Sequence, residues 1–152
     1  MTFPTRPLFA PTSGSPEFVL DLSVAIQWLL GGSGAIDPFK VMNRLPNTLP
    51  LVSYPWPGQM AEEVLAASRA GKVSAERADR FLSRFDSFSF LIDAERLDLV
   101  WPSVLSTARQ YRLRTGPAAA LELAVRTKLP LAAIDTRLLA AAPRAGVSIF
   151  TP

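Results

Sequence analysis

Two aspartates, Asp21 and Asp135, each stand directly after a short apolar run, FVL and PLAAI. If those runs are strands of one parallel sheet, both carboxylates sit at the strand ends where such sheets bind ligands. Paired there, they can hold one hard divalent cation, which activates water and neutralises a phosphodiester. The same residues suit a purely structural task, because each precedes a helical segment and Asp is a favoured N-cap. Other chemistry is narrowed by absence. The chain has no His and no Cys, which excludes Ser-His-Asp triads, imidazole acid–base catalysis, thiol nucleophiles, disulfides and Cys or His metal sites. What remains is carboxylates, hydroxyls and amines, and carboxylates with a hard cation are the natural set.

The elements that must position these residues follow from periodicity. Residues 1–16, rich in Pro, Ser, Thr and Gly, read as a flexible arm before one domain over 17–152. EFVLD (17–21) reads as a strand. LSVAIQWLL then reads as one helix, with Leu22, Ala25, Ile26, Leu29 and Leu30 on a common face, ended by Gly31 and Gly32. Ser23 lies where a first-turn hydroxyl meets free backbone N–H groups. A helical segment over 35–47 carries Pro38 in its first turn. A second strand is expected over 49–53, a rigid turn at YPWPG, and a helix over 59–70 stopped by Gly71. Ser74 caps an amphipathic helix whose inner side carries Ala78, Phe81, Leu82, Phe85 and Phe88. SFLI (89–92) reads as a strand. The helical stretch 94–113 is expected to break at Pro102. A helix from Gly116 to Lys128, the strand PLAAID, the helix TRLLAAA and a last strand GVSIF complete the alternation. Strands alternating with helices predict a mostly parallel sheet covered on both faces.

The 13 Arg against three Lys, with a net charge of +3, fit a phosphate-facing surface or an ordinary solvated one. Arg77, Arg80 and Arg84 form one stripe, and Arg109, Arg112 and Arg114 form a second cluster. Interleaved Glu76, Asp79 and Asp86 favour a solvated face for the first. Trp28, Trp56 and Trp101 read as core or interface packing rather than base-stacking platforms. The N-terminus has no secretory pattern, and no apolar run spans a bilayer, so a soluble cytoplasmic protein is expected.

FVLDLSVAIQWLL, WPGQMAEEVLAASRAGKVS, ARQYRL and LELAVRTKLPLAAIDTRLLAAAPRAGV, in this order and spacing, resemble PIN domains, especially the VapC-like toxins of bacterial toxin–antitoxin pairs. The resemblance runs from about Phe18 to Phe150. It implies a three-layer α/β/α fold with a central mostly parallel sheet, a Mg²⁺- or Mn²⁺-dependent endoribonuclease ancestry, an antitoxin-like partner, RNA as target, and a homodimer. Of the family's four usual acidic positions, the first and last correspond to Asp21 and Asp135. The second falls on Gln59 and the third on Pro117, so two of four carboxylates are replaced. The hydroxyl residue usual two places before the last aspartate is Ala133 here.

Gln59 hydrogen-bonds without charge and Pro117 offers no ligand, so the fold survives while the cation site weakens. Glu62 shares a helical face with Gln59 and is the one compensating candidate, giving an active set of Asp21, Glu62 and Asp135. Alternatively, Glu62 and Glu63 are first-turn acids favoured by the helix dipole. Glu122, five residues past Pro117, reads as structural. The resemblance therefore implies a degenerate PIN-like protein acting through protein or RNA binding, with a working ribonuclease as the alternative. A flavodoxin-like small-molecule module is the remaining fold, disfavoured by the block order.

Overall fold

A computed structural model describes residues 14–93 and 97–152. The N-terminal arm up to residue 13 and the expected helix start at Ala94 lie outside the described residues. The strands are β1 (Phe18–Leu20), β2 (Pro50–Val52), β3 (Leu91–Ile92) and β4 (Leu131–Ala132). All pair in parallel, in the order β3-β2-β1-β4. The expected fifth strand, GVSIF, is reduced to one parallel bridge between Ile149 and Leu131.

The helices are α1 (Leu22–Ala25), α2 (Gln27–Leu30), α3 (Pro38–Arg44), α4 (Trp56–Arg69), α5 (Ala75–Arg84), α6 (Leu97–Tyr111), α7 (Thr115–Thr127) and α8 (Thr136–Arg144). Alternation along the strands assigns them to layers. Phe18, Leu20 and Val52 face a core shared with Val24, Leu29, Val41, Met60, Val64 and Phe81, from α1 to α5. Val19 and Leu51 face the opposite core, shared with Val104, Leu121, Leu123 and Leu138 from α6, α7 and α8. The result is the expected three-layer α/β/α fold around a parallel sheet.

Several boundaries differ from the periodicity reading. LSVAIQWLL is interrupted at Ile26, which stays right-handed (φ −63°, ψ −26°) and closes α1 by donating to Leu22 O before α2 begins. The rigid turn at YPWPG is shorter than expected, because Trp56 and Pro57 already belong to α4; Pro is tolerated there, where its missing N–H has no partner to lose. Helix α6 runs through Pro102 without a break. Pro102 forfeits a single ladder bond, and packing of the helix on α7 outweighs that loss. Gly71 stops α4 at φ +73°, and Ser74 Oγ accepts from Arg77 N at 3.2 Å to open α5.

The phenylalanines of α5 and the segment after it pack largely on one another, with Phe81 and Phe90 buried and Phe85 and Phe88 half-buried. Phe81, Phe85, Phe88 and Phe90 join Trp28 and Trp56 in a cluster of edge-on and tilted rings, with centroids 5.1 to 6.2 Å apart. They therefore offer less docking surface than their number suggests. Trp101 behaves differently and is 59% exposed.

Candidate metal and phosphate cleft

Chain order explains where the cleft lies. From β1 the chain moves one way across the sheet to β2 and β3, then returns to place β4 on the other side of β1. The carboxyl ends of β1 and β4 therefore flank a topological switch point, where open α/β sheets form a crevice. Asp21 N donates to Ala132 O at 2.9 Å, so the β1 end lies alongside the segment leading to Asp135.

A cleft of about 450 Å³ opens here, lined among others by Asp21, Gln59, Glu62, Arg114, Pro117 and Asp135. All four positions matched to the family's acidic set, and the compensating candidate Glu62, thus face one space. The family resemblance assigns these positions to the end of β1 and the starts of α4, α7 and α8; the fold brings those places together.

Both aspartates are caps as well as cleft residues. Asp21 Oδ2 accepts from Ser23 N at 3.0 Å, and Asp135 Oδ1 accepts from Leu138 N at 2.8 Å. The capping reading of each is therefore correct. Asp21 is 4% exposed. Burial pushes its carboxyl above the usual range despite hydrogen bonds from Ser23 that favour the ionised form, and the charge of Asp135 pushes the same way. Among the described residues no salt bridge reaches Asp21. A desolvated carboxylate facing a second one is an arrangement that a divalent cation would stabilise.

Ser23 is the residue whose role the sequence reading placed too locally. Its Oγ accepts from Ile134 N at 2.9 Å and Asp135 N at 3.3 Å, across more than a hundred residues. It ties the end of β1 to the end of β4 and supplies a hydroxyl beside Asp135, where Ala133 has none.

Glu62 and Glu63 are exposed in the cleft wall. Among the described residues no three acidic side chains come together as a metal-holding group, so the structure does not join Glu62 to Asp21 and Asp135 in that way. Gln59 is half-buried and packs so tightly on Gly116 that a Cβ there would meet its Nε2 at 3.1 Å. Pro117 occupies the first turn of α7, where a proline is comfortable.

No family model and no curated protein matches the chain. The crystal structure of PAE2754 from Pyrobaculum aerophilum does. It superposes with a TM-score of 0.60, covering 82% of this chain and 84% of that one at 20% sequence identity. Likeness at that identity shows a shared α/β/α fold.

The arginines divide. Arg77 is spent on structure, donating from Nη2 to Leu29 O at 2.9 Å and so capping α2. Arg80 is exposed on α5, and Arg84 lines an apolar pocket with Trp28 and Phe85. Arg109 and Arg112 are exposed near the end of α6, and Arg114 alone of the six lines the acidic cleft. Glu122 is structural as expected. Arg126 donates to it from Nε at 2.9 Å and to Asp93 from Nη2 at 2.6 Å, joining α7 to the end of β3. Nothing in the local sequence pairs Asp93 with Arg126, 33 residues on. No helix among the described residues is long and apolar enough to cross a membrane.

Proposed function

We propose that this protein is a PIN-like, VapC-like domain that binds single-stranded RNA at a divalent-cation cleft whose hydrolytic power is weakened by Gln59 and Pro117. The observation that carries the reading is the buried Asp21 carboxyl, raised by desolvation and by Asp135, opening onto a cleft with Arg114 on its wall. Burial of the ionised form is costly unless a positive charge is bound beside it.

Asp21 and Asp135 fit one Mg²⁺ or Mn²⁺ that keeps several waters, which is the usual economy of protein ligands for Mg²⁺. When bound, the ion supplies Lewis-acid activation of water and of the phosphodiester. The chain's own residues do the rest. Ser23 holds the ends of β1 and β4 together and so fixes the spacing of the two carboxylates. Arg114 offers a bidentate guanidinium to a phosphate. Gln59 contributes an amide where charge would otherwise strengthen the cation site, and Pro117 contributes none.

The test combines Mn²⁺ titration, read by thermal shift, with cleavage of single-stranded RNA. Wild type is expected to bind the cation weakly and cleave slowly or not at all. Asp21→Asn should abolish cation stabilisation, and Gln59→Glu with Pro117→Asp should tighten it by about tenfold or more. Strong wild-type cleavage lost in both Asp21→Asn and Glu62→Gln would establish the active ribonuclease instead. An absence of any cation effect in all three proteins would reduce both aspartates to caps.

A protein-binding role, with an antitoxin-like partner or a second copy, is the second reading. It is favoured by an apolar pocket of about 370 Å³ lined by Trp28, Phe39, Met42, Phe81 and Phe88.

A further inference from the structure

A second pocket opens on the same edge of the sheet. It lies over the carboxyl ends of β2 and β3, has a volume of about 340 Å³, and is lined by Ser53, Tyr54, Gln59, Trp101, Thr115 and Glu122 among others. Gln59 and Thr115 also line the acidic cleft, so the two spaces are neighbours sharing one wall. The size is that of a small-molecule site.

Three features specify what would fill it. Tyr54 and Trp101 are 55% and 59% exposed although both are large aromatics, and both line the pocket. Exposed aromatics beside a phosphate-binding cleft are stacking platforms for unpaired bases. Ser53 is only 5% exposed and lines the pocket. Its hydroxyl can donate to, or accept from, a polar atom of a ligand there. Glu122 is 7% exposed, and Arg126 holds its carboxylate through both oxygens at 2.9 and 3.2 Å. Each carboxylate oxygen has a further acceptor site, and Arg126 does not line the pocket, so Glu122 presents acceptors on the pocket side.

We infer that this pocket is a nucleobase subsite that selects an unpaired guanine next to the phosphate held in the acidic cleft. Guanine offers two adjacent donors, its ring N–H and its amino group, to Glu122. Its carbonyl oxygen accepts from the Ser53 hydroxyl. Its ring stacks on Trp101 or Tyr54. The carboxylate repels a phosphate, which directs the backbone past Gln59 towards Arg114. The inference rests on reading the cleft as an RNA-phosphate site, and it adds sequence preference to that reading.

The test is fluorescence anisotropy with the full chain, Mn²⁺ and two labelled hexanucleotides, all-uridine and the same with one central guanine. The guanine oligomer is expected to bind about tenfold tighter or more. Trp101→Ala, at an exposed position, should reduce that ratio to about one, and hypoxanthine in place of guanine should lose most of it by removing the amino group. Asp21→Asn should weaken both oligomers alike. Equal binding of the two oligomers by wild type, or a ratio that survives both Trp101→Ala and Tyr54→Ala, overturns the base subsite. All-uridine binding that still depends on Asp21 would leave the cleft reading standing. A ratio that responds to Trp101 while Asp21→Asn changes nothing removes the cleft reading and leaves a base pocket that does not depend on it. A Trp101-dependent dimer that excludes both oligomers assigns the pocket to a second copy of the chain and overturns the proposal.

Discussion

Asp21 and Glu122 are buried to similar degrees, 4% and 7% exposed, on the same edge of one sheet, and the molecule treats them in opposite ways. Above β2 and β3, Glu122 and Asp93 share Arg126, whose guanidinium is held firmly charged by the two carboxylates. Above β1 and β4, Asp21 faces another carboxylate, and its carboxyl is raised. The first arrangement spends its charges on joining α7 to β3. The second leaves a carboxylate whose ionised form is disfavoured in the protein alone. A buried carboxylate with its counter-charge built in stays ionised and ties elements together, whereas one without it holds its proton more tightly until a cation is supplied.

The largest expected effect tests the built-in side. Arg126→Met should destabilise the fold by about 2–4 kcal/mol in urea denaturation, somewhat under the cost of breaking a fully buried pair. The discount reflects the 30% exposure of the Arg126 side chain. A loss under about 0.5 kcal/mol would mean that Asp93 and Glu122 tolerate burial without it, and the contrast with Asp21 would collapse.

Next in size is Ser23→Ala, which strips an acceptor from Ile134 N and Asp135 N and should cost about 1–2 kcal/mol. Cation affinity should fall with it, because the spacing of Asp21 and Asp135 would loosen. Unchanged affinity would show that the two carboxylates are positioned by their strands alone.

The smallest effect concerns Asp21 itself, and its sign is opposite. Its folded pKa is raised above the ordinary aspartate range by burial, so the folded protein holds this proton more tightly than the unfolded chain does. Stability from this group is therefore greatest below about pH 4 and declines as pH rises through the raised value. Asp21→Asn keeps a capping oxygen and removes that decline. It should raise the melting temperature slightly at pH 7 and leave it unchanged under acid conditions. A lower melting temperature at pH 7 would show that the ionised carboxylate is stabilised within the protein itself.

Much of this was legible before folding. The apolar run ending at Asp21, the Ser74 cap and the Gly71 stop are local signals, and each appears where the sequence places it; the run before Asp135 is strand only over Leu131–Ala132. The convergence of Gln59, Glu62 and Pro117 on one cleft was implied by the family resemblance, not by any local pattern. Sequence patterns failed where the partner is distant or the preference weak. Pro102 reads as a break, yet inside α6 it costs one bond and packing overrides it. Arg77 reads as part of a solvated stripe, yet it reaches Leu29 O, 48 residues away. Trp101 reads like Trp28 and Trp56 by residue type, and only its place on α6 leaves it outside the aromatic cluster.

The sequence by itself determined which groups exist: two strand-end aspartates, Gln and Pro where carboxylates would be expected, and no His or Cys to supply other chemistry. It determined their local settings too, because caps and periodicities are written within a few residues. Only the tertiary structure decided which carboxylate received a cation. Arg126 reaches Asp93 because parallel pairing sets β3 beside β2 under α7, while Asp21 meets Asp135 because the chain doubles back to put β4 beside β1. Both outcomes depend on the order of strands in the sheet, which no stretch of neighbouring residues encodes.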